Sequence, residues 1–486
     1  MKNCFINNEL FFNAGVFIFQ NNIFKIYYFL FYYWWILLYR KSCWLIKYSL
    51  VYLSIFEKLI SLHNKNTEGE SYLIAERMIG KALGKGVFEI SKEVKEAETK
   101  FGKDNVINST IGTFYGEDEV LSVLNTVEKH YKNLSATELF GYASGISGSP
   151  EYKEAVKENV FNVYKSSFDK SFIGVSATPG GTGAIHNTFK AYMDSGETIL
   201  LPEFMWEAYK HLASANGLKF DTYSLFEGNG FNLSSFSEKV INLAKQQHKV
   251  LVVINDPCQN PTGYSLSFEE WEAVIEILKE AGKYGEIILL NDIAYIDYDF
   301  RGAINSRKYM TLFNGLPENI LVIMAFSMSK SFTSYGLRVG AQVAISSNKK
   351  IIEEFDTSST FLCRTSWSNT TRGGMKLLSD IYGDEKLLKE VNDERNEKIV
   401  LLKKRAELFI KGAEENGIVT CPFRSGFFVT IPLKENAKEI IADLKAKKVF
   451  VLPVIGGMRI AICSVPCKKI EKLPEIISNS IKKFNK

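Results

Sequence analysis

Histidine is rare and paired cysteines are absent in this 486-residue sequence, and both features exclude kinds of chemistry. The five histidines are scattered without a zinc-binding spacing, which argues against a zinc site. The seven cysteines are odd in number and include no CxxC pair, which favours free thiols in a reducing compartment, the cytoplasm. The net charge of +4 is spread along the chain and forms no basic cluster, so we expect no nucleic-acid partner.

A hydrophobic run of membrane-spanning length is also missing. Residues 1–72 are far more aromatic than the rest, but their uncharged run, 26–39, is shorter than the roughly 20 residues that span a bilayer. No small-residue cleavage site of a signal peptide follows it. The residue types that dominate this segment are those that translation of AT-rich DNA would give. We therefore interpret 1–72 as a mis-assigned start, with a membrane segment or an unrecognised extension as alternatives, and expect no membrane partner.

From about residue 171 to 345, apolar strand-like runs alternate with helical patterns. The runs are FIGVSAT, TILLP, KFDTYSLF, KVLVVIND, EIILLND, ILVIMAF and GAQVAIS. Continuous Val, Ile and Leu separated by helices predict a mostly parallel sheet covered on both faces. We predict a large α/β domain over 118–375, which opens with a helix in DEVLSVLNTVEKHYKNL. A smaller domain would combine 73–117 with 376–486, where a long helical pattern from 384 to 415 precedes GFFVTIPL, KVFVLPV and MRIAIC.

Polar or aromatic residues follow five of these strand-like runs, at the strand ends where parallel sheets bind ligands. These residues are Gly181 and Thr182, Trp206, Asn260, Asp292 with Tyr295, and Lys330. Lys330 is the most informative, because an apolar strand delivers its amine into the hydroxyl-rich turn SMSKSFTSYGLRVG. Such a lysine is typical of an imine with pyridoxal 5′-phosphate (PLP). In the same turn, Ser327, Ser329 and Arg338 are placed to hold a phosphate.

The chemistry of that cofactor gives each residue a role. PLP withdraws electrons only while its ring nitrogen is protonated, which requires a facing carboxylate, and Asp292 is the candidate. Its phenolic oxygen needs donors, which the Asn260 amide and the Tyr295 hydroxyl supply. The helix start in TPGGTGA suits the phosphate, and Trp206 could stack on the ring. Each motif alone has a structural explanation as a turn, a helix cap or a core side chain, but their order favours the cofactor site.

A longer series of motifs extends this pattern over most of the chain. In order, the motifs are NSTIGTF, LFGYASGISG, TPGGTGA, LPEFMW, NPTG, NDIAY, SMSKSFTSYGLRVG, RTSWSN and GGMRIAIC. With them the chain resembles a fold type I, class I/II aminotransferase over roughly 73–486, and most closely the aspartate and aromatic amino acid aminotransferases. The resemblance implies a large domain with a mostly parallel seven-stranded sheet flanked by helices, plus a smaller α/β domain.

The resemblance also implies the roles of the cofactor-binding residues. Lys330 would be the imine lysine and general base, and Asp292 would face the ring nitrogen. Asn260 and Tyr295 would contact the phenolic oxygen. The remaining cofactor contacts implied are Gly181, Thr182, Ser327 and Arg338 on the phosphate, with Trp206 on the ring face.

Substrate binding and assembly follow from the same resemblance. Arg459 in GGMRIAIC would bind the substrate α-carboxylate, close to Asn260 and Gly112. Arg364 in CRTSWSN would reach in from the partner subunit to the distal carboxylate of a dicarboxylic substrate. Tyr142 in GYASG would cross the interface to the phosphate of the neighbouring site. A homodimer with shared active sites is therefore expected.

The reaction implied is a ping-pong transfer of an amino group from an L-amino acid, with aspartate favoured, to 2-oxoglutarate. Aromatic aminotransferases of this branch keep the same distal arginine, so an aromatic donor is the alternative. Tyr209 stands where the aspartate enzymes commonly carry a histidine, which gives Asp292 a different neighbour. The RTSWSN context argues against a PLP-dependent lyase, and 1–72 lack the winged-helix pattern of a PLP-sensing transcription regulator.

Overall fold

The computed structural model describes residues 73–83, 87–433 and 435–484. The chain divides into two compact units, Met1–Ala82 and Leu83–Lys486. The predicted extension at 1–72 lies outside the described residues, and the described end of the first unit contains a 3-10 helix at Glu76–Met78. None of the described helices is long and apolar enough to cross a membrane.

The strands and helices of the second unit are numbered in chain order. The strands are β1 (Ile107–Ser109), β2 (Phe172–Thr178), β3 (Thr198–Pro202), β4 (Lys219–Tyr223), β5 (Phe226–Glu227), β6 (Gly230–Phe231), β7 (Lys249–Asn255), β8 (Glu286–Asp292), β9 (Ile320–Ser327), β10 (Gly340–Ser346), β11 (Phe428–Pro432), β12 (Val449–Val454) and β13 (Gly457–Ala461). The α-helices are α1 (Val87–Phe101), α2 (Asn125–Lys132), α3 (Ala136–Phe140), α4 (Pro150–Phe161), α5 (Gly180–Tyr192), α6 (Ala208–Ala215), α7 (Leu233–Gln247), α8 (Phe268–Ala281), α9 (Met328–Ser331), α10 (Lys349–Ser366), α11 (Arg372–Gly383), α12 (Glu385–Glu415), α13 (Ala437–Ala446), α14 (Cys467–Ile470) and α15 (Leu473–Phe484). The 3-10 helices are Lys103–Asn105, Asn162–Ser167, Ile296–Tyr298, Asn305–Phe313 and Ile462–Ser464.

A seven-stranded sheet forms the centre of the larger lobe, in the order β2-β10-β9-β8-β7-β3-β4. Its strands are parallel except β10, which runs antiparallel to both β2 and β9. Each strand corresponds to one of the seven apolar runs in the sequence. The predicted α/β fold with a mostly parallel sheet is confirmed.

Both faces of this sheet are buried, which explains why its strands are apolar without alternation. In β7, Val250 and Val252 belong to one core and Leu251 and Val253 to another, because successive side chains point to opposite faces. β9 is buried along its whole length. Each buried aliphatic side chain contributes about 1.5–3 kcal/mol relative to exposure, so the two cores together fix the sheet in place.

A second sheet has the order β1-β12-β13-β11 and forms the smaller lobe. β1 is parallel to β12, whereas β13 is antiparallel to both β12 and β11. Its core includes Phe427, Phe428 and Ile460. β1 lies more than 300 residues before β12 in the chain, and its pairing with β12 brings the segment that follows β1 beside the smaller sheet. That segment can therefore reach the cleft between the lobes.

The 31-residue helix α12 connects the two lobes. It begins after Asp384, whose side chain accepts hydrogen bonds from the backbone N–H groups of Lys386 and Leu387. Val391 near its start belongs to the core of the large sheet, and Leu402 further along belongs to the core of the small sheet. The helical pattern from 384 to 415 predicted this element closely.

The helix predicted at the start of the large domain is shorter than its sequence pattern. Only Asn125–Lys132 within 118–134 is helical. Before it, the Asp118 side chain accepts from the Val120 N–H, and a β-bridge joins Tyr115 to Leu121. The prediction of one continuous helix is wrong, because these local hydrogen bonds compete with helical ones.

The junction of β9, β10 and the turn at Gly180 tolerates no side chain at Gly340. A Cβ added there would lie 2.5 Å from the Phe326 carbonyl oxygen and 2.6 Å from the Gly180 carbonyl carbon. Gly340→Ala should therefore lower the free energy of unfolding by about 1–3 kcal/mol, measured by urea denaturation. Gly336→Ala is the matched control, since a Cβ there meets nothing within 4 Å. Equal stability of the two variants would contradict the close packing.

Candidate active site

Lys330 lies in the short helix α9, directly after β9, where the strand delivers it to the carboxyl edge of the sheet. Its amine donates to the Gly112 carbonyl at 2.9 Å. The same amine lies 4.8 Å from the centre of the Tyr335 ring and 5.8 Å from that of Tyr295. The large lobe thus supplies the lysine, and the segment after β1 supplies its acceptor.

The environment of this amine favours its neutral form. Desolvation lowers the pKa of Lys330 to about 8, and the charges of Arg459 and Arg338 act in the same direction. The charge of Asp292 opposes this shift. A lysine with such a pKa is available as a nucleophile and as a base near neutral pH.

Asp292 ends β8, the strand beside β9, and is buried. Its Oδ2 accepts a 2.6 Å hydrogen bond from the Tyr209 hydroxyl, and its Oδ1 accepts one of 3.1 Å from the Ala294 N–H. Burial raises the pKa of Asp292, while these two hydrogen bonds oppose the rise. Tyr209, on α6, is itself fully buried. The tyrosine thus occupies the position of the expected histidine and holds the carboxylate in one orientation.

Asn260 and Tyr295 lie together, as the sequence predicts. Burial raises the pKa of the Tyr295 hydroxyl, and a hydrogen bond with the Asn260 side chain opposes the rise. The Asn260 N–H donates to the Asn255 Oδ1 at 2.8 Å, and the Asn255 amide donates to the Asp292 carbonyl at 2.8 Å. Asn255 therefore ties the ends of β7 and β8 together beneath the site.

Arg459 reaches the same cleft from β13 in the smaller lobe. Its Nη1 donates to the Asn260 Oδ1 at 3.0 Å and its Nη2 to the Thr110 carbonyl at 2.7 Å, while its guanidinium lies 4.0 Å from the centre of the Phe428 ring. Its Nε is buried and has no partner among the described residues. Burial lowers the pKa of Arg459 to about 10. A buried guanidinium that lacks a carboxylate is suited to an anionic ligand.

The glycine-rich helix start and Arg338 form a cradle for an anion. Gly180 has a φ of 73°, and a Cβ there would lie 2.3 Å from the Arg338 Nη2, so only glycine allows this approach. The Arg338 Nη1 donates to the Ser329 Oγ at 3.0 Å. A Cβ at Gly181 would lie 3.4 Å from the Ser327 Cβ. The backbone N–H groups at the start of α5, two hydroxyls and a guanidinium are the donor set that a phosphate requires.

The predicted residues are not all gathered around Lys330 within one chain. Tyr142 is 89% exposed, and Arg364 is exposed on α10, where it donates to the Ser368 hydroxyl at 2.7 Å. Thr182 is exposed in the first turn of α5. Trp206 is half-buried and meets the Tyr209 ring edge-on at 5.5 Å.

Two residues around the site had no predicted role. Tyr335 accepts a 2.9 Å hydrogen bond from the Phe114 N–H, which fixes its ring beside the lysine amine. It stands within the quoted SMSKSFTSYGLRVG motif, so its place in that turn was the available signal. Asn255 is the last residue of an apolar run, where a polar side chain at a strand end was a weaker signal of the same kind.

The arrangement fits PLP by its donor set. The ring nitrogen of that cofactor needs a carboxylate, which Tyr209 holds in place here, and its phenolic oxygen needs donors, which the phenol and amide pair supplies. Its phosphate needs the anion cradle, and its aldehyde needs a lysine of lowered pKa. The cradle depends on glycine at position 180, which a Cβ would fill.

Comparison with protein families gives an extended match. The profile of the family described as aminotransferase class I and II matches residues 104–477. This interval contains both sheets and all of the candidate site.

Individual relatives agree with the family match. The aspartate aminotransferase of Salmonella typhi is 25% identical over 313 residues, 64% of this chain and 77% of that protein. The aromatic-amino-acid aminotransferase of Pseudomonas aeruginosa is 30% identical over 213 residues, 43% of this chain and 51% of that protein. The crystal structure of an aminotransferase from Anaerococcus prevotii is 33% identical, with a TM-score of 0.81 over 84% of this chain and 99% of the other.

The Tyr209–Asp292 hydrogen bond gives a pH-dependent prediction. Tyr209→Phe removes a donor to a buried carboxylate, so it should raise the pKa of Asp292 further and cost about 1.5–3 kcal/mol while Asp292 is ionised. The cost should be largest near neutral pH. It should shrink as the pH falls through the pKa of Asp292 in the folded protein, because a neutral carboxyl pays no charge penalty.

The measurement is the unfolding free energy of the cofactor-free variant relative to the parent protein across pH. Tyr152→Phe is the matched control, because the buried Tyr152 hydroxyl donates to a neutral acceptor, the Gly340 carbonyl, at 2.8 Å. Its loss of stability should not change with pH. A pH-independent loss in Tyr209→Phe would mean that Asp292 is not ionised at this site.

Proposed function

This chain belongs to the class I and II aminotransferases, and we propose that it transfers an amino group from an L-amino acid, preferably aspartate, to 2-oxoglutarate. The observation that carries the proposal is the meeting of three ionisable groups around one cleft. The buried Asp292 carboxylate ends β8, the half-buried Lys330 amine follows β9 in α9, and the buried Arg459 guanidinium comes from β13.

The family depends on PLP, and the site residues support its binding here. When bound, PLP withdraws electrons from the substrate Cα and so makes its proton removable. Asp292 would hold the proton on the ring nitrogen, and Asn260 with Tyr295 would bind the phenolic oxygen. The cradle of Gly180, Gly181, Thr182, Ser327 and Arg338 would bind the phosphate, with Trp206 against the ring.

Lys330 has two tasks under this proposal. Its amine would first hold the cofactor. Once the substrate amine has displaced it, the neutral amine would take the proton from the substrate Cα and hold that proton for its return. A pKa of about 8 suits both directions of proton transfer, because the amine can accept and release a proton near neutral pH. The cofactor would keep the amino group in the site while the first oxo acid leaves, so we propose ping-pong kinetics.

Substrate selection would depend on two arginines that differ in solvent exposure. Arg459 is buried beside Asn260 and Thr110, and its Nε has no partner in the described part of the chain, which supports its binding of the α-carboxylate in any amino acid. Arg364 is exposed in one chain, which supports a role at the distal carboxylate only if a second chain brings it to the neighbouring cleft. Exposed Tyr142 is consistent with the same homodimer.

An aromatic amino acid is the second candidate donor. Similarity to an aromatic-amino-acid aminotransferase of Pseudomonas aeruginosa supports it. An exposed Arg364 on a helix end can move aside for a ring and pair again with 2-oxoglutarate, so a broad donor range is compatible with this chain.

The first prediction concerns the lysine. Lys330→Ala should lower turnover of L-aspartate with 2-oxoglutarate by at least about 10²–10⁴-fold, the usual contribution of a general base, while PLP still binds without a covalent link. Glutamate formation measures turnover, and dialysis measures the noncovalent binding. Lys350→Ala, an exposed lysine on α10, is the control. Retained transamination in Lys330→Ala would overturn the assignment of the base.

The second prediction concerns the donor. Arg364→Leu should lower kcat/KM for aspartate by about 10- to 100-fold, since a charge-assisted hydrogen bond contributes about 1.5–3 kcal/mol, and should affect phenylalanine far less. Lys350→Leu on the same helix controls for loss of an exposed charge. Equal losses for both donors would mean that Arg364 is structural. A parent enzyme that prefers phenylalanine would favour the aromatic alternative.

Mixing the two impaired variants tests the shared site. A hybrid of Lys330→Ala and Arg364→Leu subunits has one cleft with Lys330 from one chain and Arg364 from the other. The kcat/KM for aspartate should therefore rise on mixing above that of Arg364→Leu alone. No rise in proven hybrids would mean that Arg364 acts within its own chain.

A further inference from the structure

Helix α12 carries two buried arginines that the proposed reaction does not use. Arg395 is 5% exposed, and Arg405 is 0% exposed. They are separated by about 15 Å along the helix axis, at 1.5 Å per residue. Burying a guanidinium costs free energy unless its donors form hydrogen bonds. The groups that each arginine binds therefore indicate which segments α12 positions.

Arg395 binds the turn that carries Lys330. Its Nε donates to the Ser331 carbonyl at 2.7 Å, and its guanidinium lies 4.9 Å from the centre of the Phe332 ring. Both partners follow Lys330 directly in the chain. Helix α9 has only four residues, too few to be stable alone, so the orientation of the lysine depends on such outside contacts.

A buried carboxylate also interacts with Arg395. Asp297 pairs with Arg307, and both side chains are almost fully buried. Burial alone would raise the pKa of Asp297, but the charges of Arg307 and Arg395 hold it below its ordinary value. Arg395 thus balances a buried negative charge in addition to its hydrogen bond with the Ser331 carbonyl.

Arg405 binds the opposite wall of the cleft. Its Nε and Nη2 donate to the Glu117 carboxylate at 3.1 and 2.6 Å, and its Nη1 donates to the Cys463 carbonyl at 2.8 Å. Its guanidinium lies 5.3 Å from the centre of the Phe114 ring. These contacts hold the segment that carries Gly112, the acceptor of the Lys330 amine.

We propose that Arg395 and Arg405 are positioning residues that set the two walls of the active site from one rigid helix. Arg395 fixes the turn that presents Lys330 to the substrate Cα. Arg405 fixes the segment after β1 and the end of β13, where Arg459 meets the Thr110 carbonyl and would bind the α-carboxylate. This inference rests on the proposed function only in taking Lys330 as the reacting lysine and Arg459 as the carboxylate site.

The two arginines should have separable kinetic effects. Arg395→Met, which keeps an apolar stem against Phe332, should lower kcat by about 10- to 100-fold with KM for the amino donor nearly unchanged, because a misplaced base slows chemistry. Arg405→Met should instead raise that KM by about tenfold with kcat nearly unchanged. Lys403→Met, which removes an exposed cation from the same helix, should leave both constants at parent values.

A second readout needs no turnover. In the full-length cofactor-free chain, Lys330 should react with trinitrobenzenesulfonate several-fold faster in Arg395→Met than in the parent, because a loosened turn releases the amine from Gly112. Peptide mass spectrometry at alkaline pH, where the amine is mostly neutral, measures the rate against exposed Lys350. Arg395→Lys keeps a charged donor and should restore a rate close to that of the parent.

The outcomes distinguish this inference from the proposed function. An active Lys330→Ala enzyme overturns the proposed function. If Lys330 proves essential, a folded Arg395→Met with parent kcat and parent labelling overturns the positioning role, as does a rise in KM without loss of kcat. Arg395→Gln, which keeps a neutral donor, is the second variant if Arg395→Met does not fold, and parent kcat in it would overturn the role equally.

Discussion

The cost of burying charge at the carboxyl edge of the seven-stranded sheet is the constraint on which this active site depends. Asp292 is buried, Lys330 is half-buried and Arg459 is buried, so each of these ionisable groups needs a hydrogen-bond partner. Tyr209 donates a hydrogen bond to Asp292, and the Gly112 carbonyl accepts one from Lys330. Asn260 accepts one of the hydrogen bonds that Arg459 can donate. These partners orient the groups before any ligand binds, which is the preorganisation that catalysis in a protein interior requires.

Those partners come from both lobes, so the chemistry depends on how the two sheets pack. Asp292 ends β8 of the large sheet and Lys330 follows β9 of the same sheet, whereas Arg459 and Gly112 belong to the smaller sheet and to the segment after β1. Aromatic rings fill the junction, with Tyr295 edge-on to Phe428 at 5.7 Å. The same ring of Phe428 lies under Arg459, so one apolar contact supports groups of both lobes.

The sequence predicts best what local pattern controls. Strands buried on both faces are continuous apolar runs, and the residues after them fall at one edge of the sheet, which is why Asp292 and Lys330 were predictable as neighbours. Contacts between distant segments leave no such pattern. Phe114 and Tyr335 are separated by 221 residues, and nothing around Arg395 indicates that it binds the turn of Lys330. The helix expected before Asn125 was wrong because other acceptors take its backbone donors: Asp118 nearby accepts from the Val120 N–H, and distant Thr333 accepts from the Leu124 N–H.

The two proposed substrate contacts have different physical origins. The Arg459 guanidinium is buried, and its pKa is lowered by desolvation, so a carboxylate that reaches it relieves a charge penalty already present in one chain. Arg364 is solvated and pays no such penalty until another surface covers it. In the proposed dimer, each chain alone would thus bind the α-carboxylate that all amino acids share. Selection among amino acid side chains would require the association of two chains. A solvated arginine is also the easier one to displace, which makes the donor range the property of this enzyme most open to change.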